Sequence, residues 1–482
     1  MNHPAMVALG IVAVVVGGTL AFALSSVRRF TMDPQQYIVG GRSFGTIFLW
    51  VLMAGEIYTS FTFLGLAGWA YGMGAPTYYV LAYGPIGYLI GYFTLPRIWR
   101  IAKARGLLTG ADFFADRYAS PTLGLFTGCV HFVLLVPYVT LQLSGLQTLL
   151  RIAGYGAIDA TAAVGGAFVA IALFTFFAGL RGTAWASIVK DAFVLGGVVF
   201  AGIAIPLQFF GSPAAMIDQV LRAHPHWLTL APGTAPHGAV WYASTVLLTA
   251  IGYFMGPQSF NAAYSSRSEN TLRRNAMYLP IYNVMLTLVF FAGLAALLVA
   301  PGLSGPAVDQ SFLLVVQRYY PPWVLGCIAA AGSLAALIPA TALLLAAAGV
   351  FTKNVLGTFG IATSDASRTL ATRVLVVVVA LLALILWIVF PSTLVGLLLV
   401  YYNGITQFAP AVVAALFWRR VTLWGAASGL LAGLLLVIVL SAGNVPLLGL
   451  NAGFVALAVN AVTLVAVSLC TPRRALQNEG PP

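Results

Sequence analysis

The sequence predicts an all-α polytopic membrane protein with about thirteen transmembrane helices. Three observations carry that expectation. The composition is too apolar for a water-facing surface, apolar runs of spanning length recur from end to end, and basic residues gather in alternate loops. Of 482 residues, 61% are hydrophobic and 7% are charged, whereas a soluble domain carries about 25% charged residues. No stretch is long and polar enough to fold by itself, so residues 1–482 read as one transmembrane domain.

A run of about 20 apolar residues crosses a hydrocarbon core of roughly 30 Å as a helix. Such runs lie near 5–27, 44–73, 78–99, 120–150, 160–180, 184–210, 240–261, 276–300, 322–351, 372–390, 394–418, 422–440 and 447–470. The first has no Lys or Arg before it and is followed by Arg28 and Arg29. That is the reverse of a signal peptide, so it reads as a retained helix with its N terminus outside. Nineteen of the 23 basic residues then fall in cytoplasmic segments, from Arg28 through Arg42, Arg117, Arg181, Arg274, Lys353 and Arg420 to Arg474. Arg151, Arg222 and Arg318 fall outside, and Lys190 lies within a helix. This asymmetry follows the positive-inside rule, predicts a cytoplasmic C terminus in a bacterial inner membrane, and accounts for the net charge of +12 without a nucleic-acid partner.

The second run carries Glu56 beside Gly55 and is followed by Tyr58, Thr59, Ser60 and Thr62. An ionisable group at this depth costs roughly 2.5–3.5 kcal/mol on insertion scales and faces a cavity or a partner. Either Glu56 is a buried structural carboxylate held by hydroxyls, or Gly55 unwinds the helix and the hydroxyls bind a ligand. The sixth run holds Lys190 and Asp191 about two turns from its cytoplasmic end. Lys190 either snorkels to the surface or puts its ammonium in the core facing Glu56. Successive positions diverge by about 100°, so the two need not pair, and Asp191 is expected at the headgroup boundary. In the seventh run Gly252, Gly256 and Pro257 interrupt the backbone hydrogen bonds, with Gln258, Ser259 and Asn261 close by. The ninth has a third irregularity at Pro339. Two interrupted helices five apart point to a transporter built from inverted repeats, its site between the breaks.

Other chemistry is thin. Cys129, Cys327 and Cys470 have no metal spacing and read as packing residues. His224, His226 and His237 lie in one outer loop and fit no metal pattern. No nucleophile motif or phosphate loop is present, so an enzyme is not expected and no cofactor is implied.

Several segments carry a resemblance. They are GGRSFG at 40–45, GLAGWAYGMG at 65–74, LLTGADFFADRY at 107–118, AGLRGTAW at 178–185, GYFMGPQ at 252–258 and QFAPAVVAALFWRRVTLWGAASGLLAG at 407–433. With them the chain resembles the sodium:solute symporter family over nearly its whole length. GEIYTSFTFLGLAGWAY, the VKD at 189–191 and RRNAMYLPIY at 273–282 resemble its monocarboxylate-permease branch. The resemblance implies a five-plus-five inverted-repeat, leucine-transporter-like core working by alternating access. Residues 1–43 would form an extra helix, 44–210 one repeat, 240–418 the other, and 419–482 two further helices with a tail.

In that family sodium binds carbonyls of the first core helix and hydroxyls of the eighth. Here the carbonyls fall on Gly55 and Tyr58, while Ala336, Pro339 and Ala340 bring no side-chain oxygen. Ser187 stands at a customary acidic position, and Thr341 is one residue displaced. The expectation is therefore a vestigial sodium site whose place is taken by Lys190, with Glu56 as partner or proton carrier and H+ rather than Na+ as the coupling ion. The solute is expected to be a small organic anion such as lactate, pyruvate or a short-chain acid. Donors on Thr59, Ser60, Thr62, Gln142 and Gln258 would bind it, and Tyr138, Tyr253 and Phe254 would wall it. A sodium symporter and a passive facilitator or channel are the alternatives. A monomer working with the lipid bilayer as its only other partner is expected.

Overall fold

In the computed structural model, residues 3–27, 34–55, 58–361, 364–390, 392–443 and 447–472 are described. All their regular structure is helical, apart from one isolated bridge between Phe44 and Ser266. The first part runs α1 (His3–Val27), α2 (Pro34–Val39), α3 (Thr46–Ala54), α4 (Leu66–Gly72), α5 (Tyr79–Arg105), α6 (Gly110–Arg117), α7 (Pro121–Ala153), α8 (Ala160–Val199), α9 (Ile205–Phe210) and α10 (Pro213–Ala223). The second part runs α11 (Ala239–Gly252), α12 (Pro257–Ser265), α13 (Glu269–Val299), α14 (Ser311–Tyr319), α15 (Pro322–Val350), α16 (Asp365–Val389), α17 (Leu394–Ile405) and α18 (Ala409–Phe417), followed by α19 (Leu423–Ala442) and α20 (Ala452–Cys470).

Among the described residues nine helices are long and apolar enough to cross a membrane, or ten if the bent pair α11–α12 is one span. Each of the thirteen apolar runs overlaps helix among the described residues, but several are not single straight spans. The 51 residues from Ala160 to Phe210 count as one, yet at 1.5 Å per residue they are more than twice a membrane's thickness. They fold back at Gly179, whose φ of 58° is open to glycine and closed to most side chains. The ring of Tyr37 lies against Gly179, and its hydroxyl donates to the carbonyls of Thr175 (2.9 Å) and Phe176 (3.3 Å) freed at the turn. Both far ends reach the opposite face: Ala160 shares a cleft with Pro306 and Trp387, and Phe200 packs edge-on against Tyr320.

Packing sorts the helices. α15 is apolar on every side, and 89% of the most apolar window of the span Pro322–Leu356 is buried against 22% for α1, so α15 is the central post. α7 and α8 flank it, and α1 packs on α15 where Gly326 meets the backbone of Ala8. Without a hydrophobic drive between helices in lipid, close backbone approach supplies much of the attraction. Gly145 of α7 is one such place, since a Cβ there would overlap the side chain of Ser60.

The basic residues gather at one end, here termed the basic end. Arg100 pairs with Glu269 at 2.8 Å, Arg117 donates to Ala415 O, Arg181 donates to Ser43 at 2.8 Å, and Lys353 meets Asp112 at 2.6 Å. Arg151, Arg222 and Arg318 belong to the helix ends and loops of the opposite end.

Candidate functional site

Two helices are broken at mid-depth. α3 stops at Gly55, and the chain resumes as a π-turn over Phe61–Gly65 before α4; such turns concentrate at functional positions. Glu56, the proposed carboxylate of this break, lies outside the described residues. α11 and α12 meet at 45° across Tyr253–Gly256, and Pro257 opens α12 where its missing N–H costs nothing.

The side chain of Gln142 on α7 spans the first break. Its Oε1 accepts from the Ser60 amide (3.2 Å) and hydroxyl (2.7 Å), while Thr59 Oγ1 accepts from Phe61 N at 3.2 Å. Gln142 Nε2 is left without a hydrogen-bond partner among the described residues. One turn along the same face, Tyr138 stacks 4.7 Å from Tyr401, whose hydroxyl takes a 2.9 Å hydrogen bond from Gln258 Nε2. Gln258 Oε1 also lacks a partner among the described residues. Ser60, Gln142, Tyr138, Tyr401 and Gln258 thus form one buried cluster joining the two breaks. It presents a spare carboxamide donor and a spare acceptor, groups able to hydrogen-bond a small polar solute.

Thr62 is buried in the π-turn. Tyr253 and Phe254 face α5: the Cβ of Tyr253 lies over Gly87, its ring is edge-on to Tyr88 (5.4 Å), and Phe254 covers Gly91. The structure therefore brings Ser60, Tyr138, Gln142 and Gln258 together and sets Tyr253 and Phe254 at a helix contact.

The ionisable centre sits at the same break. Lys190 is fully buried, and a Cβ on Gly55 would lie 3.1 Å from its Nζ. That Nζ is 2.8 Å from Asp191 Oδ1. Asp191 is 5% exposed, which rules out a place at the headgroup boundary, and the neighbours pair although the helical angle left this open, because the long lysine arm bends across the 100° between them. Asp191 Oδ2 accepts from Tyr282 of α13 at 2.8 Å, and Tyr58 donates to the Tyr282 carbonyl at 2.8 Å. Ser187 donates to Thr183 O one turn away. Thr341 donates to Leu337 O (3.0 Å) and accepts from Thr175 (3.2 Å), which ties α15 to the first arm of α8. Ala336, Pro339 and Ala340 are buried on α15.

Sequence reasoning missed Tyr282 and Tyr401, as well as two polar clusters nearer the ends of the bundle. At the basic end Asp112 accepts from Leu108 N, Thr109 N, Lys353 Nζ (2.6 Å) and Asn354 Nδ2 (2.8 Å), latching α6 to the π-turn Phe351–Leu356 that ends α15. At the opposite end a cleft of about 380 Å³ is lined by Gln147, Arg151, Asp309, Trp387 and Leu394. Asp309 Oδ2 accepts from Leu394 N, at the start of α17, at 2.9 Å, while Oδ1 faces Gly68 with no partner among the described residues.

Burial pushes the Asp309 carboxyl up to about 7, against the opposing pull of the Leu394 N–H. The fold therefore favours the neutral acid. Its stabilisation is complete below about pH 4, the unfolded value, and is lost as pH rises through about 7. Asp309→Asn should flatten that part of the thermal-stability profile and raise the melting temperature above neutrality. Equal slopes in variant and parent would refute the assignment.

A sequence model of the sodium:solute symporter family matches residues 37–433. The chain belongs to that family. This symporter is 39% identical over 452 residues to the uncharacterized symporter YhjB of Bacillus subtilis, covering 91% of this chain and 92% of that one. It is 30% identical to a monocarboxylate transport permease protein of Rhizobium johnstonii, over 92% and 91% of the two chains. Its fold matches the substrate-bound, outward-open structure of a Na+-coupled sialic acid symporter, with a TM-score of 0.79 at 15% identity and coverage of 97% and 98%. The symporter is thus an all-α, multi-pass membrane protein with the five-plus-five, leucine-transporter-like core. Its family and structural neighbours are transporters, not enzymes.

Proposed function

We propose that this symporter moves a small monocarboxylate by alternating access and couples that movement to protons through the Lys190–Asp191 pair. The observation that carries the reading is the buried Lys190 ammonium at Gly55. The Lys190 ammonium alone would repel a sodium ion about 4 Å away by roughly 4 kcal/mol at an effective dielectric of about 20, and its pairing with Asp191 takes up the carboxylate that a sodium ion would need. Ala336, Pro339 and Ala340 add no side-chain oxygen to offset the repulsion. A lysine can shed its proton and regain it, so the pair serves as a loading point at the break. Tyr58 and Tyr282 hold Asp191 and α13 in register, Ser187 and Thr341 buttress the neighbouring backbones, and Glu56 serves as a second proton carrier.

Gln142 Nε2 is the donor for the solute carboxylate. Ser60, Thr59, Thr62 and Gln258 complete the polar wall, with Tyr138, Tyr253 and Phe254 beside the apolar end. The monocarboxylate permease of R. johnstonii, similar over nine-tenths of both chains, supports this solute class. The repeats are 44–210 and 240–418, with 1–43 and 419–482 outside them. The basic end faces the cytoplasm of a bacterial cell by the positive-inside rule, and the protein works as a monomer.

Counterflow and net uptake of labelled lactate, pyruvate and butyrate in proteoliposomes, with and without sodium and across a pH step, test this reading. Accumulation driven by an inward proton gradient in sodium-free buffer is the expected result. Strict sodium dependence would overturn the coupling, equilibration without accumulation would indicate a facilitator, and failure of all three acids to exchange would overturn the solute class.

A further inference from the structure

His131 of α7 is a buried ionisable group that the reading above does not use. Its side chain is 0% exposed, and neither Nδ1 nor Nε2 has a hydrogen-bond partner among the described residues. Its ring stacks on Phe408 (4.1 Å between centroids, 25° between planes), stands 6.3 Å from Phe114, and reaches Gly110, on which Phe260 also packs. The imidazole thus closes an aromatic box between α6, α7, α12 and the turn Thr406–Phe408.

The box lies on the route out. His131 is seven residues, two helical turns, from Tyr138 on the same face of α7 and toward the basic end. Phe260 is two residues from Gln258, and Gly110 is two residues from the latch carboxylate Asp112. A solute leaving the cluster toward the basic end therefore has to part these rings.

The ionisable groups on the packed elements do not satisfy the imidazole. On α6, Asp112 is taken by Lys353, Asp116 lies 3.9 Å from Arg105, and Arg117 donates to Ala415 O. On α12, Tyr264 lies under Arg42. Cys129 of α7 is two residues away and so about 200° around the helix, and the turn Thr406–Phe408 carries no charge. A polar ring sealed without partners penalises the closed box, and an imidazolium there would be penalised further.

We propose that His131 is a gate-linked protonation site: dry and neutral while the aromatic box is shut, it takes a proton from the basic-end solution when α12 parts from α6 and α7, and that proton holds the gate open. The proton passes from hydronium or a buffer acid to a ring nitrogen and must leave again before the box can close. Acid on this side therefore favours the open gate whichever ion drives transport.

Spin labels at Asn270 and Ala366, both exposed at the basic end on α13 and α16, report the gate by double electron–electron resonance in nanodiscs between pH 8 and 5. No solute is added, so failure of the proton-coupling proposal leaves this result unaffected. The open-to-closed ratio should rise by up to about tenfold per pH unit below about 6.5, the ordinary imidazole range. His131→Phe should abolish this rise and favour the closed distance. His131→Gln, polar but not titratable, should abolish the rise in a folded protein even if the Phe variant fails. A wild type without pH response, or either variant with a wild-type response, overturns the proposal.

Discussion

Lys190→Met should cost about 3–5 kcal/mol of stability, because it strands the Asp191 carboxylate in the core with Tyr282 as its one remaining partner among the described residues. The double variant Lys190→Met/Asp191→Asn removes both charges, and most of the lost stability should return; single and double variants in one thermal-unfolding series measure this non-additivity. Transport separates what stability does not. Neither variant should accumulate solute on a pH gradient, because the double variant restores packing and not proton loading. Lys190→Arg decides between the two roles. A guanidinium preserves the charge beside Asp191 but does not release its proton, so this variant should fold, exchange solute and fail to concentrate it. Wild-type accumulation by Lys190→Arg would make the charge a structural strut and end the proton-loading scheme.

The fold was legible because its signals are extensive and one-dimensional. Runs of about 20 apolar residues, alternating basic loops and breaks at Gly55 and at Gly256–Pro257 all lie in local sequence. The 51-residue helical stretch Ala160–Phe210 was already divided in the sequence, into runs at 160–180 and 184–210, and Gly179 turns the chain back between them. The site was legible in part. Gln142, Gln258 and Ser60 were visible as polar residues in apolar helices; Gln142 and Ser60 touch, and Gln258 joins them through Tyr401 and Tyr138. The partners that give them geometry were not visible: Tyr401 and Tyr282 are aromatic residues in aromatic-rich helices, and only packing between distant segments distinguishes them from core. Asp191 was misplaced because helical angles describe where a Cβ points and not where a four-carbon side chain can reach. Asp112 stood inside a quoted motif without a role, since its partner Lys353 is 241 residues away.

The basic-end latch gives the second large effect. Asp112 accepts four hydrogen bonds, two of them from Lys353 and Asn354 on the π-turn that ends α15, beside the gate. It also serves in the capping box of α6 with Thr109, so Asp112→Ala removes a helix cap, worth about 1 kcal/mol, together with the latch. Lys353→Met isolates the gate contribution because it leaves the cap intact. A hydrogen bond involving a charged group contributes about 1.5–3 kcal/mol, and a change of that size in the closed state alone moves the gate equilibrium by roughly 10–150-fold toward open. The Asn270–Ala366 spin-label distance should shift accordingly in Lys353→Met, and further in Lys353→Met/Asn354→Ala. Because the Lys353 side chain is 29% exposed, raising the salt should mimic part of the effect in the parent and none of it in the variant. A latch that favours closure and a dry histidine that penalises it act on the same box from neighbouring turns, so His131→Phe should draw Lys353→Met back toward the closed distance. If Lys353→Met lowers the melting temperature but leaves the distance distribution untouched, the network braces α6 and does not govern the gate.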